Sequence, residues 1–240
     1  MFDNIDFTEK RVKSDLSGGI NSMALLCSLA NYELKPKELF IFYAHFVEHS
    51  KDTMKFVEDG VKYAKERFDS VKIKITQNSI IEYFRQEKMI PHPMLSPCSI
   101  NLKIIPAKQF YDENNCDFDL IGYVKSDIRR WKNRKDKDDM FYNSLYPIIG
   151  LTDEECFEMV EKEIGWYPEI YRIKDVNGRK IFKHNNCLPC KNMTEKDLVS
   201  VGEYYPEKMV VALQLAKELK AYWGRKDVPA ELLCNHCEFL

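Results

Sequence analysis

The sequence predicts an α/β protein with a doubly wound, mostly parallel sheet and a small helical, cysteine-rich C-terminal part. Three observations predict it. The glycine pair in Ser17-Gly18-Gly19-Ile20-Asn21-Ser22 runs directly into the apolar, helix-like stretch Met23 to Ala30. Short aromatic and β-branched runs then alternate with amphipathic helical stretches, the order that builds crossover units between parallel strands. Two Cys-x-x-Cys pairs, Cys187/Cys190 and Cys234/Cys237, mark the C-terminal part.

A chain of 240 residues can bury one α/β core with a small appendage. We divide it into an α/β domain, 1–150, which carries the glycine pair, and a helical part, 151–240, with the Cys-x-x-Cys pairs, packed on the same core. Hydrophobic content of 45% and charged content of 31% are those of a soluble globular protein. The net charge of −2 sets up no global basic field of the kind that attracts nucleic acid. No apolar run approaches a membrane span, and Met1-Phe2-Asp3-Asn4 has no signal-peptide character. The expected location is the cytoplasm, with no membrane partner. In a reducing compartment, eight cysteines favour metal or redox work over disulfides.

The elements follow in order. Arg11 to Leu16 is far more polar than an ordinary buried first strand. Leu39 to Phe46 reads as a strand buried on both faces. Asp52 to Phe68 carries Met54, Val57 and Val61 on one helical stripe, and Val71 to Ile75 alternates like a strand with one wet face. Ser79 to Lys88 is a short helix. The proline-dense stretch from Pro91 to Pro97 delivers Cys98 into a helix ending near Asn114. Phe118 to Val124 is a buried strand, followed at once by Arg129 and Arg130. The charged run from Lys132 to Asp139 reads as a mobile, solvated loop. Thr152-Asp153-Glu154-Glu155 is a capping box for a helix to Ile164, whose acidic residues read as a solvated face. Asn177-Gly178 suggests a hairpin turn, and Thr194 to Tyr205 and Glu207 to Trp223 are helices.

The chemistry concentrates at three places. Two glycines let the backbone turn tightly and bring its N–H groups to a bulky anion, and a helix beginning at Asn21 or Ser22 would aim its positive end there. The alternative is a polar turn with a Ser or Asn helix cap. Adjacent arginines past a strand's carboxyl end suit an oxyanion. Cys187, Cys190, Cys234 and Cys237 together would make a tetrahedral zinc clamp. Cys27, Cys116 and Cys156 read as small core residues, and His45 as a core histidine. His184 and His236 flank the cysteine pairs and could replace one ligand, while His92 is equally suited to substrate contact or exposure.

Ser17 to Ser22 resembles the Ser-Gly-Gly-x-Asp-Ser pyrophosphate loop of the adenine-nucleotide α-hydrolase superfamily. Within it, several stretches in order resemble the phosphoadenylyl-sulfate (PAPS) reductase family. Cys98 to Pro106 is similar to its Cys-Cys-x-x-x-Lys-x-x-Pro, Gly122 to Arg130 to its Gly-x-x-Arg-Arg, Tyr146 to Tyr171 to its Pro-Leu…Trp-Thr…Asn-x-Leu-Tyr block, and Asn186 to Cys190 to its Gly-Cys-x-x-Cys. Two positions depart: Pro97 replaces one cysteine, and Asn21 stands where Asp is usual.

The resemblance implies ATP or a related adenine nucleotide held by Ser17, Gly18, Gly19, Asn21 and Ser22, with Mg²⁺. Asn21 keeps the size of Asp but lacks its charge, so Mg²⁺-linked activity would be weak. Ser17, Lys103, Arg129 and Arg130 would stabilise the transition state. It also implies a [4Fe–4S] cluster on Cys98, Cys187, Cys190 and Cys234 or Cys237, with the zinc clamp as the competing metal centre. The implied function is ATP pyrophosphatase-type adenylation for sulfur or nitrogen transfer. The alternatives are sulfonucleotide reduction and a catalytically impaired partner subunit. Implied partners are the adenine nucleotide, a small-molecule or nucleic-acid substrate, a sulfur-donor protein and a second copy of the chain.

Overall fold

The computed structural model describes residues 2, 5–92, 95–135 and 143–223, without the side chains of 134 and 135. Five strands form one parallel sheet: β1 (Arg11–Asp15), β2 (Glu38–Phe46), β3 (Val71–Asn78), β4 (Phe118–Leu120) and β5 (Ser144–Leu145). Their spatial order is β3-β2-β1-β4-β5. The order reverses between β1 and β4, so the loop leaving β1 lies at the topological switch point, where ligands of such sheets bind.

The polar lead-in Arg11 to Asp15 is nevertheless the central strand. It pairs in parallel with β2 from Arg11↔Glu38 to Asp15↔Phe42, and with β4 from Val12↔Phe118 to Ser14↔Leu120. Its buried lysine is held by charge pairing: Lys13 is 2% exposed, with Nζ 2.7 Å from Asp119 and 2.8 Å from Asp15. Desolvation opposes the ammonium, but the two carboxylates outweigh it and hold its pKa above the usual lysine value. β4 is shorter than the expected Phe118 to Val124, and the short β5 beside it was not foreseen.

The chain separates into two compact units. The first comprises the described residues up to Tyr43, Asp52–Thr76 and Pro106–Tyr167; the second comprises Ala44–Lys51, Gln77–Ile105 and the described residues from Pro168.

In the first unit, helix α1 (Ile20–Ala30) is buried everywhere except Asn21 and packs on α2 (Thr53–Lys65) and α7 (Asp153–Ile164). The approach of α1 and α2 is close enough that a Cβ on Gly60 would run into the Met23 thioether. The expected Thr152/Glu155 capping box starts α7. Most acidic side chains of α7 are exposed, whereas Glu163 accepts a 2.7 Å hydrogen bond from Tyr63. On the sheet's other face, α5 (Ile105–Glu113) sets Phe110 against Phe40 and Phe42.

In the second unit, α3 (Ile80–Gln86) is capped by Ser79 and by the buried carboxylate of Glu48, which accepts from Ile80 and Ile81 N–H. A helical turn, α4 (Pro97–Ser99), continues through a π-turn (Ile100–Ile104). Helices α8 (Glu195–Tyr204) and α9 (Pro206–Glu218) pack on each other, and α9 on α3. Asn177-Gly178 does turn the chain, with Gly178 at φ +75°, but only Lys174 and Lys180 form a β-bridge there.

Candidate functional site

The first unit carries the glycine turn between β1 and α1. Gly18 adopts φ +77°, a left-handed conformation that a side chain would strain. Gly19 is the N-cap of α1, so no side chain caps the helix, and its first turn contains no acid. The positive end of α1 therefore meets no fixed negative charge of its own. The loop is braced from within: Ser17 N–H donates to Ser22 Oγ at 3.0 Å, the two hydroxyls share a 3.0 Å hydrogen bond, and Ser22 Oγ donates to the Gly19 carbonyl. Gly122, just past β4, lies against the same turn, where a Cβ would come 3.0 Å from Asn21 O and 3.3 Å from Ser22 Cα.

Arg129 and Arg130 open helix α6 (Ile128–Lys135), and both are exposed. Arg130 ion-pairs with Asp127 at 2.8 Å and lies 4.7 Å from the Tyr123 ring centre. Tyr123 in turn stacks near Tyr146. Arg130 is thus oriented by two neighbours, which prepares a guanidinium for an anion.

The second unit contains Cys98, Cys187 and Cys190 together with Lys103 and Lys191. Cys187 is buried, and the other two thiols are partly so. Burial pushes the Cys187 thiol up to about 12, and the other two sulfurs add to that effect while Lys103 opposes it. Cys98 is likewise raised by burial and then by Cys190, with Lys191 and Lys103 pulling the other way. These groups are therefore within electrostatic reach of one another. Lys103 also lies 4.8 Å from the Phe46 ring centre. Among the described residues, no three His, Cys, Asp or Glu side chains are arranged to hold a metal ion as they stand. Cys234, Cys237 and His236 lie outside the described residues.

Each sequence-derived candidate now has a place. Ser17, Gly18, Gly19, Asn21 and Ser22 form one braced turn in the unit that also holds Arg129 and Arg130, whereas Lys103 joins the thiols in the other unit. Cys27, Cys116 and Cys156 are buried, and desolvation raises them to about 12, 11 and 12. His45 is half-buried, and His184 and His92 are exposed. Sequence reading missed Glu48, His49 and Lys191, all buried polar groups of the second unit. His49 is held down to about 3 by burial, then by the charges of Lys103, His45 and Lys208. Lys191 stands beside Cys190, yet adjacency alone gave no signal that its ammonium is buried.

No protein-family model and no curated protein matches the chain. Among solved structures, it is similar to U34-tRNA thiolase NcsA from Methanococcus maripaludis, determined with its [4Fe-4S] cluster. The TM-score is 0.50 at 16% identity, over 92% of this chain and 77% of that one. The fold is that of the pyrophosphate-loop enzymes. NMN synthetase from Francisella tularensis follows at TM-score 0.47 and 12% identity, over 92% and 90% of the two chains. PAPS reductase from Candida auris, in a phosphate complex, gives 0.44 and 13% over 66% and 75%. In this chain the turn after β1 is Ser17 to Ser22.

Proposed function

We propose that this chain binds ATP through its pyrophosphate loop and adenylates an acceptor for sulfur transfer. The observation that carries the reading is the loop itself: a left-handed Gly18, a Gly19 N-cap without a side chain, and an acid-free first turn at the switch point of a parallel sheet. An acceptor oxygen attacks the α-phosphorus, the bond from that phosphorus to the bridging oxygen breaks, and pyrophosphate leaves with the electron pair. Loop N–H groups, Arg129 and Arg130 stabilise the charge that builds on the phosphate oxygens. A sulfur nucleophile then displaces AMP from the activated carbon. Mg²⁺ would accompany the phosphates, held less firmly with Asn21 than with a carboxylate.

The thiol cluster supports a metal centre as part of the same enzyme. Cysteine sulfurs are the donor type such a centre takes, and Lys103 would offset thiolate charge at Cys98 and Cys187 against the burial that now raises both thiols. Cys98, Cys187 and Cys190, joined by Cys234 or Cys237, would hold a [4Fe–4S] cluster, the kind of cluster with which the similar thiolase was determined. With only three of these cysteines as ligands the cluster would keep one iron open as a Lewis acid, and a fourth thiolate would close it. A zinc clamp on Cys187, Cys190, Cys234 and Cys237 is the competing arrangement. Asn21 favours a second reading, a subunit that binds ATP without turning it over.

Anaerobically purified protein tests both halves. We expect iron with acid-labile sulfide, and pyrophosphate released from ATP when acceptor is present. One zinc without iron supports the clamp, and ATP binding without pyrophosphate release supports the subunit. Sulfite formed from a sulfonucleotide and a thiol reductant would replace adenylation by sulfonucleotide reduction. Folded protein free of both metals would remove the metal centre from the account.

A further inference from the structure

Strands β4 and β5 are neighbours, and each is followed by a tyrosine at its carboxyl end, Tyr123 shortly past β4 and Tyr146 directly after β5. The carboxyl ends of such strands are where an open α/β sheet binds its ligands. The two rings stand 5.6 Å apart and are tilted by 32°, and Trp131 of α6 meets Tyr146 edge-on at 6.4 Å. The Arg130 guanidinium lies 4.7 Å from the Tyr123 ring centre. Three half-buried rings and an exposed guanidinium thus form one run of π surfaces, all within the first unit. The run adjoins the glycine turn, because Gly122, the residue before Tyr123, is the one that lies against Asn21 and Ser22.

The charge beside these rings is one-sided. From Lys125 to Asn133 the cations Lys125, Arg129, Arg130 and Lys132 face a single acid, Asp127, which Arg130 engages at 2.8 Å. Arg129 and Lys132 are exposed, and among the described residues neither pairs with a carboxylate. The net charge of −2 for the whole chain conceals this local excess. Aromatic faces beside cations suit single-stranded nucleic acid: bases stack on rings and guanidinium planes while cations meet the phosphates. A duplex keeps its base faces stacked inside and cannot use the rings.

We propose that Tyr123, Tyr146 and Trp131, with the exposed cations of α6, form a platform for an unpaired base of a single-stranded nucleic acid, the acceptor in the adenylation reading. The acceptor role rests on that reading, but binding to the platform is tested apart from it. Several bases carry a ring carbonyl oxygen, the kind of acceptor atom that the reading requires.

Fluorescein-labelled short single strands of RNA and of DNA, a DNA duplex and an abasic DNA strand are titrated with the protein and followed by anisotropy. At least one base-bearing single strand should bind saturably, about tenfold tighter than the duplex or the abasic strand. A preference between RNA and DNA then identifies the acceptor's sugar. Trp131→Leu should weaken single-strand binding about fivefold or more, and Lys132→Ala should reduce its salt dependence by about one phosphate, both with unchanged circular dichroism. Strands carrying thio-substituted pyrimidines, cross-linked to wild-type protein by long-wave ultraviolet light, should map to Tyr123, Trp131 or Tyr146, a measurement that needs no variant to fold. Equal binding of abasic and base-bearing strands, preference for duplex, cross-links only elsewhere, or no binding overturns the platform, even where ATP binds and pyrophosphate is released. Single-strand binding at these residues by a protein that does not bind ATP keeps the platform and overturns the adenylation reading.

Discussion

Gly122 shows how a single hydrogen atom can serve the loop. A methyl group there would press on Asn21 O and Ser22 Cα, both backbone atoms that cannot swing aside. Gly122→Ala should therefore displace the first turn of α1 and weaken ATP binding about tenfold, or about 1.4 kcal/mol, measurable by calorimetric titration. His49 makes a different prediction, through pH. Its folded-state pKa of about 3 lies below the ordinary 6.5, so the unfolded chain takes up a proton first as pH falls. Stability from this group is complete above pH 6.5 and declines as pH drops towards 3. The groups acting on the ring are Lys103, His45 and Lys208, whose Nζ also donates to the His49 carbonyl. Urea melts of wild-type protein should lose about 1.5 kcal/mol more than His49→Gln between pH 6.5 and 5. Parallel pH profiles for the two proteins would show that His49 is not the source.

Strand β1 is the element whose sequence and structure disagree most in appearance. Alternation and hydropathy argue against a central strand at Arg-Val-Lys-Ser-Asp, and only the partner of Lys13 resolves the conflict. That partner, Asp119, is 106 residues away, beyond the reach of any local pattern. Removing it should leave a buried ammonium with Asp15 alone. Asp119→Ala is expected to cost about 3 kcal/mol in urea unfolding, and Lys13→Met/Asp119→Leu to recover most of that. A small effect of the single variant, or no recovery in the double, would mean that the pair is not what admits Lys13 to the sheet. Other elements were legible because their signals are local. The glycine pair before an apolar run marked the loop and α1, Thr152 with Glu155 marked the start of α7, and the apolar runs marked β2 and α9. Lys191 and His49 were not legible, since a buried polar residue is identified by surroundings that the fold assembles from distant segments. The division of the site residues between two compact units was likewise invisible, because each unit is built from stretches that alternate along the chain.

At the scale of the whole molecule, one chain combines a glycine turn at the switch point of a parallel sheet with three thiols, Cys98, Cys187 and Cys190, in its second unit. The claim on which the rest depends is that Ser17 to Ser22 holds the phosphates of ATP. Isothermal titration of ATP into wild-type and Gly19→Val proteins tests it most directly. A branched side chain at the N-cap would occupy the space of the phosphates and cover the N–H groups at the start of α1. The account predicts saturable ATP binding to the wild-type protein and at least tenfold weaker binding, about 1.4 kcal/mol, to a Gly19→Val protein of unchanged circular dichroism. Equal ATP affinity in the two folded proteins, or no binding by either, would contradict it.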